Sequence, residues 1–157
     1  MPPMAIDPHS LERCLKLMDE SAAVCLATVN GAAPRLRALW NLRRQDRFPS
    51  AAEFCRKQVL IAYFATSVSS DKVRDIRANP AVSLYYCDAD NVCGVMLAGR
   101  AEILADPGLK RTLWHDSWSI YWAGGAADPD YCVLRVTPSA AVGWWGTSPF
   151  YFEAKSE

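Results

Sequence analysis

Apolar residues in this chain fall mostly in strand-length runs bounded by turn residues, and only three stretches space them at the wider interval of an amphipathic helix. The first helix is marked by Leu11, Cys14, Leu15 and Met18, behind a capping and first-turn signal in Asp7-Pro8-His9-Ser10. Ala22 to Val29 is a run of small and β-branched residues closed by Asn30-Gly31, a hairpin turn, so Arg35 to Leu42 pairs back as the next strand. Arg43 to Lys57 is polar, holds four arginines and a lysine and is interrupted by Pro49, which predicts a long loop or a poorly formed hairpin extension with a solvated face. Val59 to Ala65 is a buried strand, Thr66 to Lys72 a polar turn, and Val73, Ile76 and Arg77 a short helix stopped at Asn79-Pro80.

Ala81 to Cys87 alternates like a strand. After the turn Asp88-Ala-Asp-Asn91, Val92 to Leu104 forms a long one in which Gly94 and Gly99 permit bending or close backbone approach. Asp106-Pro107 opens the third helix, which carries Leu113, Trp114, Trp118 and Trp122 and ends at Gly124-Gly125. Tyr131 to Thr137 is a strand broken by Pro138. Ala141 to Trp145 is a last short strand, before an aromatic tail expected to fray. Many short strands with hairpin turns and only three helices predict a mainly β fold: a small antiparallel barrel with helices over its ends and open side.

At 157 residues and 51% apolar content the chain suits one domain with one sizeable core. Seventeen basic and seventeen acidic residues cancel, so no global field draws it to nucleic acid or anionic lipid. Neither a signal peptide nor a bilayer-spanning run is legible, which predicts a cytoplasmic protein. The six cysteines, Cys14, Cys25, Cys55, Cys87, Cys93 and Cys132, include no Cys-x-x-Cys pair, and His9 and His115 are the only histidines. Free, mostly buried thiols are expected, with no metal site and no assigned catalytic residue.

Chemistry concentrates in two places. On a strand, Arg35 and Arg37 leave the same face about 7 Å apart, and two cations there call for an anion. The plain alternative is solvated edge charges, or partners for nearby carboxylates. Thr66 to Lys72 sets hydroxyls, backbone amides and one ammonium at a helix start, which is either a phosphate-binding geometry or an ordinary cap with Ser70 or Asp71 as N-cap. If a meander sets the strand ending at Ala65 beside the arginine strand, both groups converge on one point.

At these residues the chain resembles the FMN-binding split β-barrel superfamily of pyridoxamine phosphate oxidase, and within it the general stress protein branch. The resemblance is carried, in order, by Leu26-Ala-Thr-Val-Asn-Gly31 with Pro34-Arg-Leu-Arg37, Phe64-Ala-Thr66 with Ser70-Asp-Lys72, Asn79-Pro80-Ala-Val-Ser-Leu84, Gly99-Arg-Ala-Glu102 and Asp128-Pro-Asp130. It implies a six-stranded antiparallel split β-barrel with flanking helices, formed by residues 1–157 as one domain, and a homodimer with an FMN in each of two interface clefts. Arg35 and Lys72 would hold the FMN phosphate with the Thr66 and Ser70 hydroxyls. Leu36 to Ala38 would offer backbone groups to the isoalloxazine edge, with Arg37 at the phosphate or near the pyrimidine side. Trp118 would stack on the neighbouring subunit's flavin or wall the substrate pocket, although packing against the barrel is the expected role of most of the Trp114, Trp118 and Trp122 set. Of Trp144 and Trp145, which point to opposite faces, one should be core and the other interface or pocket.

The chain also departs from the family. Trp40 stands where the oxidase proper has a lysine for its substrate's phosphate, the tail from Gly143 lacks an Arg-x-His motif, Asp71 replaces a common second cation, and Gly94 falls where a glutamine often contacts the flavin. The expected function is therefore an FMN-dependent oxidoreductase that is not pyridoxamine phosphate oxidase, passing electrons from one small molecule to another, planar one. A flavin-binding or sensing protein without turnover is the alternative, and a deazaflavin or an empty pocket is compatible with the same residues. A haem-binding relative on the same barrel is a third alternative; it would need an axial ligand, for which His9 and His115 are poor candidates on spacing.

Overall fold

The computed structural model describes residues 7–154. Its chain order is α1 (Pro8–Glu20), β1 (Ala23–Asn30), β2 (Ala33–Trp40), α2 (Pro49–Arg56), β3 (Ala62–Ser67), α3 (Asp71–Ala78), β4 (Ala81–Asp88), β5 (Cys93–Leu104), α4 (Pro107–Leu113), two 3₁₀ turns (Asp116–Ile120 and Gly125–Ala127), β6 (Tyr131–Trp145) and β7 (Ser148–Glu153). Six strands form a continuous antiparallel sheet in the order β2-β1-β4-β5-β6-β3, and β7 adds to β6 outside that path. The sheet curls into a split barrel whose open seam lies between its two edge strands, β2 and β3.

Local signals explain most of these elements. Asp7 caps α1 by accepting from the amides of His9 and Ser10, Ser70 caps α3 through Val73 N, and Asp106 caps α4 through Leu109 N. Asn30 pairs with Ala33 across a two-residue loop in which Gly31 takes φ +59°, the left-handed conformation that such tight hairpins demand of their first loop residue.

Inward residues alternate along β1, where Val24, Leu26 and Thr28 are buried, and along β4, where Val82, Leu84 and Tyr86 are buried. With Cys14, Leu17 and Met18 of α1 and Val73 and Ile76 of α3, all of these but Thr28 form the barrel core. A second core lies outside the sheet: Tyr63 of β3 and Tyr131 and Val133 of β6 pack against Leu42, Phe48, Leu113, Trp118 and Trp122. Burial on both faces explains why β3 reads as an unbroken apolar run.

Four expectations change. The stretch from Arg43 to Lys57 is no hairpin extension, because Pro49 opens α2 from its first turn, where a missing amide costs nothing. The tryptophan helix stops at Leu113, and Trp114 is extended (φ −60°, ψ 141°), so Trp114, Trp118 and Trp122 do not share an α-helical face. Pro138 does not end its strand: it pairs with Gly99 where the register shifts, so that Ser139 is the extra residue of a bulge. There the prolyl ring escapes the ladder, and a Cβ on Gly99 would run into the Thr137 carbonyl and Pro138. The tail, finally, pairs as β7 and turns Phe150 and Phe152 into the core.

Candidate functional site

Arg35, Arg37 and Leu39 share the inward-leaning, half-covered face of β2, while Leu36, 70% exposed, and Ala38 point outward. As an edge strand, β2 pairs only with β1 and keeps a free row of backbone groups along the seam. Across the seam stands β3, followed directly by α3. The two strands are therefore neighbours because the curled sheet brings its ends together, and not because a meander pairs them; β3 pairs with β6.

The cations converge there. Lys72 Nζ donates to Thr66 Oγ1 at 2.9 Å, and Thr66 Oγ1 lies 3.5 Å from Ser70 Oγ, which also caps α3. Arg35, Leu36, Arg37, Asp71 and Lys72 line one open hollow. Lys72 also borders a second, of about 400 Å³, walled by Ala38 and Trp40 on one side, Thr66 and Ser67 on the other, and Tyr121 and Trp122 at its end. Burial first, and then the charge of Arg37, lower the Lys72 pKa below the usual lysine range. An anion arriving between them would relieve that tension.

Carboxylates occupy part of the same ground, as the plain alternative for the arginine pair expects. Arg35 Nη1 lies 3.6 Å from Asp75 Oδ1 and 3.9 Å from Asp71 Oδ2. Arg37 Nη2 lies 3.5 Å from Asp75 Oδ2, while its Nη1 donates to Thr28 Oγ1 at 2.7 Å. Thr28 in turn donates to Asp75 Oδ2 at 2.7 Å. That hydroxyl, and after it the two guanidinium groups, hold the Asp75 carboxyl below its ordinary pKa against the opposing effect of burial.

Two contacts brace the loop after β3. Asp130 accepts from Ser69 N at 2.9 Å and Ser69 Oγ at 3.0 Å, and Trp122 Nε1 donates to Ser67 Oγ at 3.0 Å. Asp130 thus braces the loop between β3 and α3 from 61 residues away in the chain. Trp118 does not reach the cleft. It is 1% exposed, stacked on Trp40 at 5.4 Å between ring centroids and 9° between planes, and surrounded by Trp114, Trp122 and Tyr131. A partner's ligand could not stack on it unless this cluster opened; Tyr121, 59% exposed, is the ring that stands open beside the cleft.

Sequence reading missed Thr28 and Asp75. The available signal was a hydroxyl at an inward register of β1, in a row otherwise made of Val24 and Leu26. At Gly94, a Cβ would meet the Tyr85 hydroxyl and the Trp144 ring, so those aromatics fill the space a glutamine would need. His115 shares its Nδ1 with Ser117 Oγ at 2.7 Å and caps the 3₁₀ turn. Of the cysteines, Cys14, Cys55, Cys93 and Cys132 are buried, and burial pushes Cys14 and Cys55 up to about 12, far from thiolate reactivity. No described helix is long and apolar enough to cross a membrane.

Among solved structures, a protein related to general stress protein 26 of B. subtilis, from Clostridium acetobutylicum and of the pyridoxinephosphate oxidase family, superimposes with TM-score 0.74 at 27% identity, covering 94% of this chain and 96% of its own. General stress protein 26 from Bacillus anthracis str. Sterne gives TM-score 0.74 at 20% identity over 93% of this chain and 99% of its own. An F420 reductase shares the fold at TM-score 0.53 and 22% identity, over 80% and 93% of the two chains. No curated protein matches significantly by sequence. The family described as "Pyridoxamine 5'-phosphate oxidase like" matches residues 56–154, which takes in Thr66, Lys72 and Asp75 and begins after the arginine strand. With that match over more than half of its length, on a split barrel, the chain belongs to the pyridoxamine 5'-phosphate oxidase-like family.

Proposed function

We propose that this protein binds FMN in the seam between β2 and β3 and acts as a flavin-dependent oxidoreductase on a small molecule other than pyridoxamine phosphate. The observation that carries the reading is the convergence of Arg35, Arg37, Lys72, Thr66 and Ser70 at one end of a cleft whose other end is walled by Trp40, Tyr121 and Trp122. Such a cleft suits a ligand with an anionic tail and a planar head. Arg35 and Lys72 would take the phosphate, the free edge of β2 from Leu36 to Ala38 would meet the polar rim of the ring, and Thr66 and Ser70 would complete the oxygen contacts. When bound, FMN supplies the redox chemistry; the chain supplies position, charge and exclusion of water. Membership of the pyridoxamine 5'-phosphate oxidase-like family, likeness to a protein related to general stress protein 26, and an F420 reductase on the same fold support a flavin-type ligand.

A homodimer completes the proposal. Outward-facing residues make an uncharged row across the sheet, from Ala38 through Cys25, Tyr85, Met96 and Val142 to Tyr151 in successive registers. Met96, Val142, Trp144 and Tyr151 are 38, 44, 38 and 59% exposed, an apolar expanse that a second copy would cover. Trp144 lies on this face, while its neighbour Trp145 packs on the barrel core. Met96→Glu places a charge at the centre of that face and is expected to convert a dimer into a monomer by light scattering. A wild-type protein already monomeric at micromolar concentration would sink the dimer.

The function is tested by the absorption spectrum and mass spectrum of the purified protein, followed by stopped-flow mixing with NADH or NADPH and then an oxidant. Copurifying or tightly added FMN that cycles at a useful rate is expected. FMN that binds without cycling would replace the enzyme with a sensing role, a Soret band would replace the flavin with haem, and absence of flavin binding would end the proposal.

A further inference from the structure

Asp75 lies on the buried side of α3 with a side chain only 3% exposed, and it faces both arginines of the seam. A carboxylate beneath a phosphate site is electrostatically unwelcome, since it repels the ligand that its neighbours attract. Its hydrogen bonds show another use. Arg37 Nη1 donates to Thr28 Oγ1 at 2.7 Å, Thr28 donates to Asp75 Oδ2 at 2.7 Å, and Arg37 Nη2 donates to the same Asp75 Oδ2 at 3.5 Å. Arg37 thus has two nitrogens fixed in a closed ring of three side chains from β1, β2 and α3. Arg35, 37% exposed, is oriented by charge instead, with Nη1 at 3.6 Å from Asp75 Oδ1 and 3.9 Å from Asp71 Oδ2.

We infer that Asp75, acting through Thr28, is a positioning residue: it presets the Arg35 and Arg37 guanidinium groups for a flavin phosphate before the ligand arrives. The inference rests on the FMN reading above. An arginine on a mobile stem loses rotamer freedom when it closes on a ligand, and one already anchored loses less. Asp75 engages one nitrogen of each arginine, while Arg35, Arg37 and Lys72 all still line the hollow. Coulomb's law and positioning therefore predict opposite signs for removal of the carboxylate. Lost repulsion would tighten the binding of FMN, whereas lost anchoring would weaken it.

The experiment measures dissociation constants of FMN and riboflavin by quenching of flavin fluorescence in wild type, Asp75→Asn and Thr28→Val. Riboflavin lacks the phosphate and reports on the rest of the cleft. Asp75→Asn should weaken FMN about tenfold, the scale seen when a group that orients a binding residue is removed, and leave riboflavin unchanged. Thr28→Val breaks the same ring without changing charge and should weaken FMN in the same direction. FMN binding unchanged or tighter in both variants would overturn the inference, as would equal loss for both flavins, which marks a merely structural residue. Wild-type protein that binds FMN no better than riboflavin would instead sink the phosphate site itself, and the positioning role with it.

Discussion

With Arg35 and Lys72 both changed to alanine, FMN should bind no more tightly than riboflavin. The two residues come from opposite sides of the seam, one on an edge strand and one in the first turn of a helix, so each can reach a different phosphate oxygen. A hydrogen bond to a charged group contributes about 1.5 to 3 kcal/mol, and two of them about 3 to 6 kcal/mol if they act independently. The lower figure is the better guide here. Arg35 is partly exposed and already faces Asp71 and Asp75, so part of its charge is spent before any ligand arrives. An affinity loss of about hundredfold is expected, with little change in thermal stability, because a half-exposed ion pair adds little to folding. Titration of both variants and the wild type with FMN and riboflavin decides the matter. Equal FMN affinity in wild type and double variant would remove these two residues from the phosphate.

How much of this site could be read from the sequence depended on whether its determinants were local. The β1–β2 hairpin was legible because Asn30-Gly31 fixes its own geometry, and with it the common face of Arg35 and Arg37. The caps at Asp7, Ser70 and Asp106 were legible for the same reason, as was the stop at Asn79-Pro80. The cleft itself was expected from a wrong neighbour relation. Only the curl of the whole sheet brings β2 to β3, and no residue of either strand records it. Pro49 and Pro138 show the limit from the other side: one residue type opens a helix in the first case and rides a bulge in the second, and the partner that permits the latter, Gly99, lies on another strand. Asp75 escaped notice because its role is defined by Thr28, Arg35 and Arg37 from two strands.

The tryptophans show the same limit most clearly, and Trp118→Ala carries the largest expected effect on stability. Four-residue spacing suggested a single helix face, but α4 ends at Leu113 and the chain re-enters as a short 3₁₀ turn, which gives up backbone hydrogen bonds. What offsets that loss is contact among rings from distant segments. Trp118 meets Trp40, Phe48, Trp114, Trp122 and Tyr131 at centroid distances of 5.4 to 6.3 Å. Removing a fully buried indole costs about 3 to 5 kcal/mol, because such a cluster cannot close over the void. In a chain of this size that corresponds to a fall of roughly 6 to 20 °C in Tm. Trp118→Phe keeps most of the contact area and should recover over half of the loss. If Trp118 instead served as a stacking platform for a flavin, alanine would leave the ligand-free protein nearly as stable as wild type and reduce riboflavin and FMN affinity alike. Calorimetry on ligand-free protein distinguishes the two, and an unchanged Tm would show that the ring lies open to a ligand and that its packing contributes little.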